Sequence, residues 1–380
     1  MTSWPPLKIG HLEMNLIQGG MGVGISGEKL ASAVAEEGGA GIIASVGLGL
    51  SKGYFQDALE SAQKRGDFND LNGGERRKLL DEIYAGANSD ALRDEIIKAR
   101  SKTNGVIGVN IMQALTDYPS LIKTAVAENV DLIICGAKII RDLPKYIRGK
   151  KNPPLLVPIA SNERVAGFFV DTWSNLGHKP DAIVFEGPKA GGHLGYDEKQ
   201  LADPDFVSNG LERILPEIIN VVGPDIPVIA AGGIYTGQDI YNILKLGAAG
   251  VQMATRFVTT HECDAHDRFK QAYIDAKPKD IVIIKSPVGM PGRAIKNKFV
   301  EDTYREKKRI PFACQYKCLI PCSPTESNYC IANALINAQR GNMEQGFAFC
   351  GTNAWRATEI VSVKDVFNSL EREYNEACKA

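Results

Sequence analysis

The sequence predicts an α/β fold, a (β/α)₈ TIM barrel with a helical insertion and a cysteine-containing C-terminal excursion. Short apolar runs recur along the chain, segments with helical spacing lie between most of them, and about eight such pairs fit within 380 residues. Fully apolar strands that alternate with amphipathic helices are typical of a parallel sheet covered by helices. A doubly wound open sheet is the alternative, and the length also allows two smaller domains.

Each predicted strand is a short apolar run bounded by glycine, proline or polar residues. The runs occupy residues 16–18, 41–44, 106–111, 132–134, 155–159, 182–185, 228–231 and 250–253. Helical spacing is clearest over residues 27–37, 119–129, 162–176 and 236–246. Because barrels bind ligands at the carboxyl ends of their strands, we expect the site in the turns after positions 18, 109, 185, 231 and 253.

Two stretches do not fit a regular barrel. Residues 53–102 are charged and helix-rich, too long for a normal strand-to-helix connection, and they predict a helical insertion at the rim of the site. Residues 278–337 hold a run rich in proline and glycine and then clustered cysteines, an excursion before the closing helices. We therefore expect a ligand-binding barrel over 1–300, a cysteine-rich segment over 301–340, and closing helices packed on the barrel over 341–380.

The overall composition argues against several classes of partner. A net charge of −1 leaves no electrostatic footprint for nucleic acid or an anionic membrane, and an aromatic content of 7% offers no stacking platform for bases. No apolar stretch reaches the roughly 18–20 residues that a membrane span requires. The start of the chain lacks a basic region followed by an apolar one, so the sequence predicts no signal peptide and a cytoplasmic location.

The most informative turn carries a histidine. Residues 186–195 read EGPKAGGHLG directly after the apolar run 182–185, which places His193 in a turn nearly free of side chains. Glycine lets the backbone approach a ligand closely, and a neutral imidazole can take or give a proton near physiological pH. The alternative is a tight turn whose histidine only caps or packs.

Two later strands end in turns of a type that binds phosphate. Residues 230–234 read AAGGI and lead into a helix that opens near Thr236, and residues 253–257 read MATRF after the next strand. Backbone N–H groups at such turns, near the seventh and eighth strands of a barrel, form the usual phosphate site of this architecture. The alternative is a pair of tight turns in which glycine serves packing only.

Taken together, these segments resemble the nitronate monooxygenase (2-nitropropane dioxygenase-like) family of flavoenzymes, which includes the FMN-dependent enoyl-acyl-carrier-protein reductases. The matching segments keep the family order: QGGMG at 18–22, GVNIM at 108–112, AGGHLG at 190–195, AGGI at 231–234, QMATRF at 252–257 and GNMEQG at 341–346. The resemblance covers most of the chain up to about residue 300, together with the closing region.

The resemblance implies an FMN-binding TIM barrel in which His193 matches the family histidine implicated in proton transfer. By the same resemblance, the FMN phosphate would be held by Gly232, Gly233, Ala254 and Thr255. The isoalloxazine ring would contact Gly20, Met21 and Asn110. Close approach of flavin and substrate would be permitted by Gly191 and Gly192.

The leading hypothesis for the activity is an FMN-dependent oxidoreductase that oxidises alkyl nitronates with flavin and oxygen. His193 would assist proton removal from the carbon beside the nitro group. The first alternative is NAD(P)H-dependent reduction of an enoyl thioester, in which His193 would support protonation. The second is a flavin- and metal-binding electron carrier or sensor. The expected partners are a small-molecule or acyl-thioester substrate and a second copy in a homodimer.

Four cysteines near the end of the chain predict a metal site. Cys314, Cys318, Cys322 and Cys330 are spaced C-x3-C-x3-C-x7-C, and Cys350 is a further candidate ligand. Clustered thiols in a cytosolic protein more often bind metal than form disulfides, which favours an iron–sulfur cluster. Structural zinc and unligated thiols are the alternatives, because the spacing matches no single zinc signature. A cluster beside FMN would favour a reductase over an oxygenase.

Overall fold

The computed structural model describes residues 3–380, and eight of its strands form a parallel barrel. In chain order the strands are β1 (Leu7–Ile9), β2 (Leu12–Met14), β3 (Ile17–Gln18), β4 (Gly41–Ala44), β5 (Ile107–Met112), β6 (Leu132–Gly136), β7 (Leu155–Ala160), β8 (Ile183–Glu186), β9 (Gly192–His193), β10 (Val228–Ala231), β11 (Gly250–Met253), β12 (Ile281–Lys285) and β13 (Pro291–Ile295). The barrel sheet has the order β3-β11-β10-β8-β7-β6-β5-β4, and every neighbouring pair in it is parallel.

The barrel closes between its first two strands. Ile17 of β3 forms a parallel bridge with Ala40, which precedes β4, and the Gln18 N–H donates to the Ala40 carbonyl at 3.0 Å. The Ala40 N–H donates in turn to the Leu16 carbonyl at 2.8 Å. The two edges of the sheet therefore satisfy each other, which confirms the predicted barrel and excludes the open doubly wound sheet.

Helices surround the barrel and connect its strands. They are α1 (Glu28–Glu36), α2 (Leu48–Ser51), α3 (Tyr54–Arg65), α4 (Gly73–Lys102), α5 (Tyr118–Ala127), α6 (Glu163–Ser174), α7 (Glu198–Ala202), α8 (Pro204–Val222), α9 (Gly237–Lys245), α10 (Thr255–Val258), α11 (Asp267–Asp275), α12 (Lys298–Val300), α13 (Ile331–Gln339) and α14 (Val363–Lys379). Side-chain caps begin several of them: Asn162 accepts from the Val165 N–H at α6, and Thr236 accepts from the Asp239 N–H at α9.

The amino ends of the barrel strands are plugged. The hairpin β1–β2 places Leu7 and Ile9, both fully buried, against the apolar side chains inside the barrel. A Cβ at Gly250 would lie 2.9 Å from the Leu7 Cβ, so β11 needs glycine where the hairpin packs on it. Because this end is filled, we expect a ligand to bind at the carboxyl ends of the strands.

Helices α3 and α4 fill the region in which the sequence predicts a helical insertion. The 30-residue α4 starts with a capping box between Asn72 and Glu75. It packs against α1, α5 and β5, so it also supplies the barrel helix between β4 and β5. Its buried residues lie mostly in its second half, from Tyr84 to Ala99.

The last third of the chain covers one side of the barrel mouth. Strands β12 and β13 form an antiparallel hairpin to which β9 adds a third strand. Helix α14 packs on α9 and α1, and a Cβ at Gly237 would lie 2.0 Å from the Leu370 carbonyl oxygen, so glycine permits this close helix contact. Across residues 3–380, none of the helices combines the length and the apolar character needed to cross a bilayer.

Candidate active site

The turns after β3, β5, β8, β10 and β11 enclose a cavity of about 470 Å³ at the carboxyl ends of the barrel strands. The fold brings to this one cavity all the residues that the sequence analysis assigned to cofactor binding and proton transfer. They are Gly20, Met21, Asn110, Gly191, Gly192, His193, Gly232, Gly233, Ala254 and Thr255.

Two consecutive glycines form one end of the cavity. Gly232 and Gly233 have φ values of +90° and +92°. A Cβ on Gly233 would lie 2.7 Å from the Lys189 Cβ, and one on Gly232 would lie 2.8 Å from the Gly187 carbonyl oxygen. Both conformation and space therefore require glycine. Among the described residues neither backbone N–H has an acceptor, so both can donate to a ligand.

The neighbouring turn adds a hydroxyl to this end. Helix α10 begins directly after β11, with Ala254 at its N-cap position. Thr255 Oγ1 accepts from the Gly351 N–H at 2.9 Å, which leaves the hydroxyl proton for a ligand. Asn353 Nδ2 donates to the Gly233 carbonyl at 2.7 Å. Residues 350–353 thus close over this end, and the sequence analysis assigned them no role beyond the candidate ligand Cys350.

The turn after β3 lies beside the turn after β11, because the two strands pair, and it forms a further side of the cavity. A Cβ on Gly20 would lie 2.5 Å from the Asn110 Cβ, so glycine lets this turn pack directly on β5. The Met21 N–H donates to Ser26 Oγ at 2.8 Å, which holds the turn in place. Gln252 also lines the cavity, and its buried Oε1 has no hydrogen-bond partner in residues 3–380. Such an acceptor is satisfied when a ligand donates to it.

His193 is held from outside its own turn. It faces Gly292 in the antiparallel pairing of β9 with β13. Its Nε2 lies 2.7 Å from Ser286 Oγ, and its ring centroid lies 5.0 Å from that of Phe349. Burial lowers the pKa of His193 to about 4, so the imidazole is neutral at physiological pH. The Nδ1 atom has no hydrogen-bond partner in the described part of the chain.

Arg293 supports the same turn from behind. It is 4% exposed, and its Nη1 donates to the Pro188 carbonyl at 2.8 Å and to the Ala190 carbonyl. Burial lowers the pKa of Arg293 to about 10, so it stays charged at neutral pH. Sequence reasoning missed the roles of Arg293 and Ser286, because their run at 286–293 was assigned only to an excursion. The apolar run 281–284 before it is the one local signal of the hairpin that carries them.

Glu186 is a second titratable group at the cavity. It ends β8 and lines the cavity, and burial raises the pKa of Glu186 to about 7. Its backbone is fixed by the Tyr196 hydroxyl, which donates to the Glu186 carbonyl at 2.8 Å. The sequence analysis quoted Glu186 as the start of the turn and gave it no role. A carboxyl with a pKa near neutrality can exchange a proton or accept a ligand hydroxyl.

The eight cysteines are all free. Cys318 lines the cavity, as does Cys350, whose N–H donates to the Arg293 carbonyl at 3.0 Å. Burial raises the pKa of the Cys350 thiol to about 12. Within residues 3–380, no three His, Cys, Asp or Glu side chains are arranged to hold a metal ion. The metal site therefore stays a prediction.

Known proteins are similar to this chain over different spans. A probable nitronate monooxygenase of Staphylococcus aureus is 40% identical over 131 residues, which is 34% of this chain and 36% of the relative. The chain thus spans about a third of that relative's length. FabK from Thermotoga maritima is 25% identical, with a TM-score of 0.68 over 96% of this chain and 94% of its own. A nitroalkane oxidase from Streptomyces ansochromogenes has a TM-score of 0.68 over 96% of this chain and 97% of its own at 19% identity, which shows the fold alone.

A family match extends over nearly the whole chain. The family described as nitronate monooxygenase matches residues 6–373. That span contains every barrel strand, the two glycines with positive φ, and the turn that carries His193. The chain therefore belongs to the nitronate monooxygenase family.

Proposed function

We propose that this protein is an FMN-dependent oxidoreductase that oxidises alkyl nitronates with oxygen. The observation that carries the proposal is the position of His193, a neutral imidazole held by Ser286 in the same cavity as the glycine pair Gly232–Gly233. Membership of the nitronate monooxygenase family supports the same reaction class. The likeness to a probable nitronate monooxygenase of Staphylococcus aureus supports the substrate class.

The residues that line the cavity suit both the phosphate and the ring of FMN. At one end the unpaired N–H groups of Gly232 and Gly233 and the hydroxyl of Thr255 are donors suited to a phosphate dianion. Beside the turn after β11, Gly20 and Met21 line the cavity, and the flat isoalloxazine ring would lie against them. The orphaned Gln252 Oε1 is an acceptor for an N–H or O–H of the cofactor.

Bound FMN would supply the redox chemistry, and the chain's own residues would handle orientation and the proton. The role needs the tautomer in which the Nε2–H of His193 donates to Ser286 Oγ, because Nδ1 is then the nitrogen that can accept a proton. There the ring would accept the proton that a neutral nitroalkane carries on the carbon beside its nitro group, which converts the nitroalkane to the nitronate anion that is oxidised. Burial disfavours the charged imidazolium, and the nitronate anion formed beside it offsets that cost. The base is therefore matched to a reaction that creates negative charge next to it.

Enoyl-thioester reduction is the second candidate. One side of the cavity is apolar and is formed by residues such as Leu115, Leu319 and Leu335. This surface favours enoyl-thioester reduction, because it would suit an acyl chain. The state of the histidine counts against it. With its pKa lowered to about 4, His193 is unprotonated at neutral pH and is a poor donor to a carbanion. The electron carrier, the homodimer and the cytoplasmic location stay predictions.

Anaerobic reduction of the bound flavin distinguishes these candidates. The FMN-loaded enzyme is mixed with an alkyl nitronate, with NADH or with NADPH, and the visible absorbance of the flavin is followed. Bleaching by the nitronate and by neither nucleotide supports the proposal. Bleaching by a nucleotide alone favours the reductase, and bleaching by none of the three favours the electron carrier.

Two histidine variants test the assigned base. His193→Ala should slow oxidation of a neutral nitroalkane by about 100-fold or more, and oxidation of the preformed nitronate much less, while FMN stays bound, as expected for the loss of a general base. The matched control is His11→Ala, because His11 is exposed and lies between β1 and β2 at the opposite end of the barrel. Equal turnover in both variants would remove His193 from the mechanism.

A further inference from the structure

The turn after β8 holds the backbone of Lys189 in a fixed position. The Ala190 N–H donates to the Gly187 carbonyl at 3.1 Å, which closes a four-residue turn with Pro188 at its second position, where proline is favoured. The buried Arg293 side chain donates to the Pro188 and Ala190 carbonyls, one on each side of Lys189. The fold therefore determines where the Lys189 side chain leaves the turn.

The segment after Cys350 joins this turn to the turn after β11. The Thr352 N–H donates to the Lys189 carbonyl at 3.1 Å. The preceding N–H, that of Gly351, donates to Thr255 Oγ1 at 2.9 Å. Two consecutive residues thus hold Lys189 close to the hydroxyl that the proposed FMN site uses.

The side chain of Lys189 lies on Gly233. A Cβ on Gly233 would lie 2.7 Å from both the Cβ and the Cδ of Lys189, and 3.2 Å from its Cγ. The methylene groups therefore run along this glycine and cover it, as the stems of half-buried lysines commonly do. Because Nζ is only two bonds beyond Cδ, the ammonium group is within reach of an anion bound at the Gly233 N–H.

The ammonium group of Lys189 is available for such an anion. Within residues 3–380 it forms no ion pair with an aspartate or glutamate. Two arginines near this end of the cavity, Arg256 and Arg356, are instead engaged with Tyr235. Their guanidinium carbons lie 4.8 and 5.1 Å from the centroid of its ring, and Arg356 also lies 4.0 Å from Asp239. Lys189 therefore differs from both arginines in that it lies on the glycine pair with its charge unmatched.

We propose that Lys189 binds the phosphate of FMN and makes the site select FMN over a flavin without a phosphate. The inference rests on the proposed FMN site. The donors already assigned to the phosphate, the N–H groups of Gly232 and Gly233 and the hydroxyl of Thr255, are all neutral. A cation beside them adds a charge-assisted hydrogen bond to a dianion. Because Lys189 is half-buried, salt screens this contact less than it screens a fully exposed pair.

A comparison of FMN with riboflavin, which has the same ring and no phosphate, tests the proposal. The enzyme is loaded with either flavin and diluted, and the dissociation constant is obtained from the fluorescence of the released flavin. Lys189→Met should weaken FMN binding about 10-fold and riboflavin binding less than about twofold. Lys189→Arg, which keeps the charge, should retain most of the affinity for FMN.

The matched control is Lys179→Met, which removes the same charge from an exposed lysine before the amino end of β8. It should change neither affinity. Equal weakening of both flavins in Lys189→Met, or weakening of neither, would overturn the inference about Lys189. Wild-type enzyme that binds FMN no more tightly than riboflavin would overturn the proposed phosphate site as well, so the two failures are distinguishable.

Discussion

His193 Nε2 lies 2.7 Å from Ser286 Oγ, although the two residues are 93 positions apart in the chain. The contact exists because β13 pairs with β9 and brings the hairpin of β12 and β13 against the glycine-rich turn. Ser286 is 3% exposed, so its hydroxyl has few alternatives to the imidazole. The hydrogen bond orients the ring, and in the tautomer in which Nε2–H donates to Ser286, Nδ1 is the atom that would accept a proton from the substrate.

Replacing Ser286 tests this positioning. Ser286→Ala should lower kcat about 10- to 100-fold with a smaller change in KM, because a ring displaced by about 1 Å no longer meets the reacting carbon. Bound FMN should stay unchanged, and Ser286→Thr, which keeps the hydroxyl, should restore most of the rate. Ser208→Ala in the exposed part of α8 is the control. A kcat within twofold of wild type for Ser286→Ala would contradict the role.

Glycine at position 233 should be needed for FMN more than for folding. Gly233→Ala and Gly177→Ala both place a side chain at a positive φ, +92° and +81°. Only the first brings a Cβ within 2.7 Å of another residue, Lys189, and alters the end of the cavity where we propose that the phosphate binds. Fluorescence titration should show FMN binding weakened at least 10-fold in Gly233→Ala and unchanged in Gly177→Ala. Equal affinities would place the phosphate elsewhere.

Arg293 should contribute to stability through the two carbonyls that it satisfies. Arg293→Met leaves the buried Pro188 and Ala190 carbonyls without their donor, which should cost about 2–5 kcal/mol in the free energy of unfolding. In the control Arg213→Met, an exposed pair with Asp205 at 3.1 Å is lost, at a cost of at most about 1 kcal/mol. The free energies of unfolding of the two variants are compared by denaturant titration, with circular dichroism as the signal. Similar losses in the two variants would refute the buried role of Arg293.

Asp117 should make stability depend on pH. The residue is 4% exposed, Asn88 Nδ2 donates to its Oδ2 at 2.7 Å, and burial raises the pKa of Asp117 to about 6. A carboxyl whose pKa is raised on folding is most stabilising at low pH, and that contribution is lost as pH rises through the folded-state pKa. Asp117→Asn should therefore stabilise the protein by about 1–3 kcal/mol at pH 8 and by less than about 1 kcal/mol at pH 4.

Thermal unfolding of FMN-loaded wild type and Asp117→Asn at pH 4 and pH 8 checks whether the stabilisation is larger at the higher pH. Asp90→Asn, at an exposed carboxylate of α4 that pairs with Arg93, is the control and should show no comparable gain at pH 8. A stabilisation by Asp117→Asn that is larger at pH 4 than at pH 8 would contradict the account.

Local sequence patterns were sufficient for the barrel and for much of the cavity. Strands β4, β10 and β11 begin and end at the residues that the apolar runs indicate. The turn after β10 could be recognised from its sequence, because the positive φ at Gly232 and Gly233 permits few residues other than glycine. Once the strands are parallel, their carboxyl ends meet, and this brings distant positions such as Gly20 and His193 to one cavity.

The groups that support the site could not be found in this way. Ser286 and Arg293 reach the histidine turn through antiparallel pairing across about a hundred residues, and no short pattern records such a register. Residues 350–353 close the end of the cavity at Gly232 and Gly233 through the Gly351 N–H and the Asn353 side chain, and no local pattern predicts these two contacts. The place of Cys318 in the cavity wall depends on the docking of its segment on α4 and the loop after β5.

The central claim is that this cavity binds FMN with its phosphate at the glycine pair and its ring beside His193. A crystal structure of the enzyme with FMN tests it most directly. We expect phosphate oxygens within about 3 Å of the Gly233 N–H nitrogen and of Thr255 Oγ1, with the isoalloxazine ring between Gly20 and His193. FMN bound outside the cavity, or inside it with the phosphate away from Gly232 and Gly233, would contradict the account.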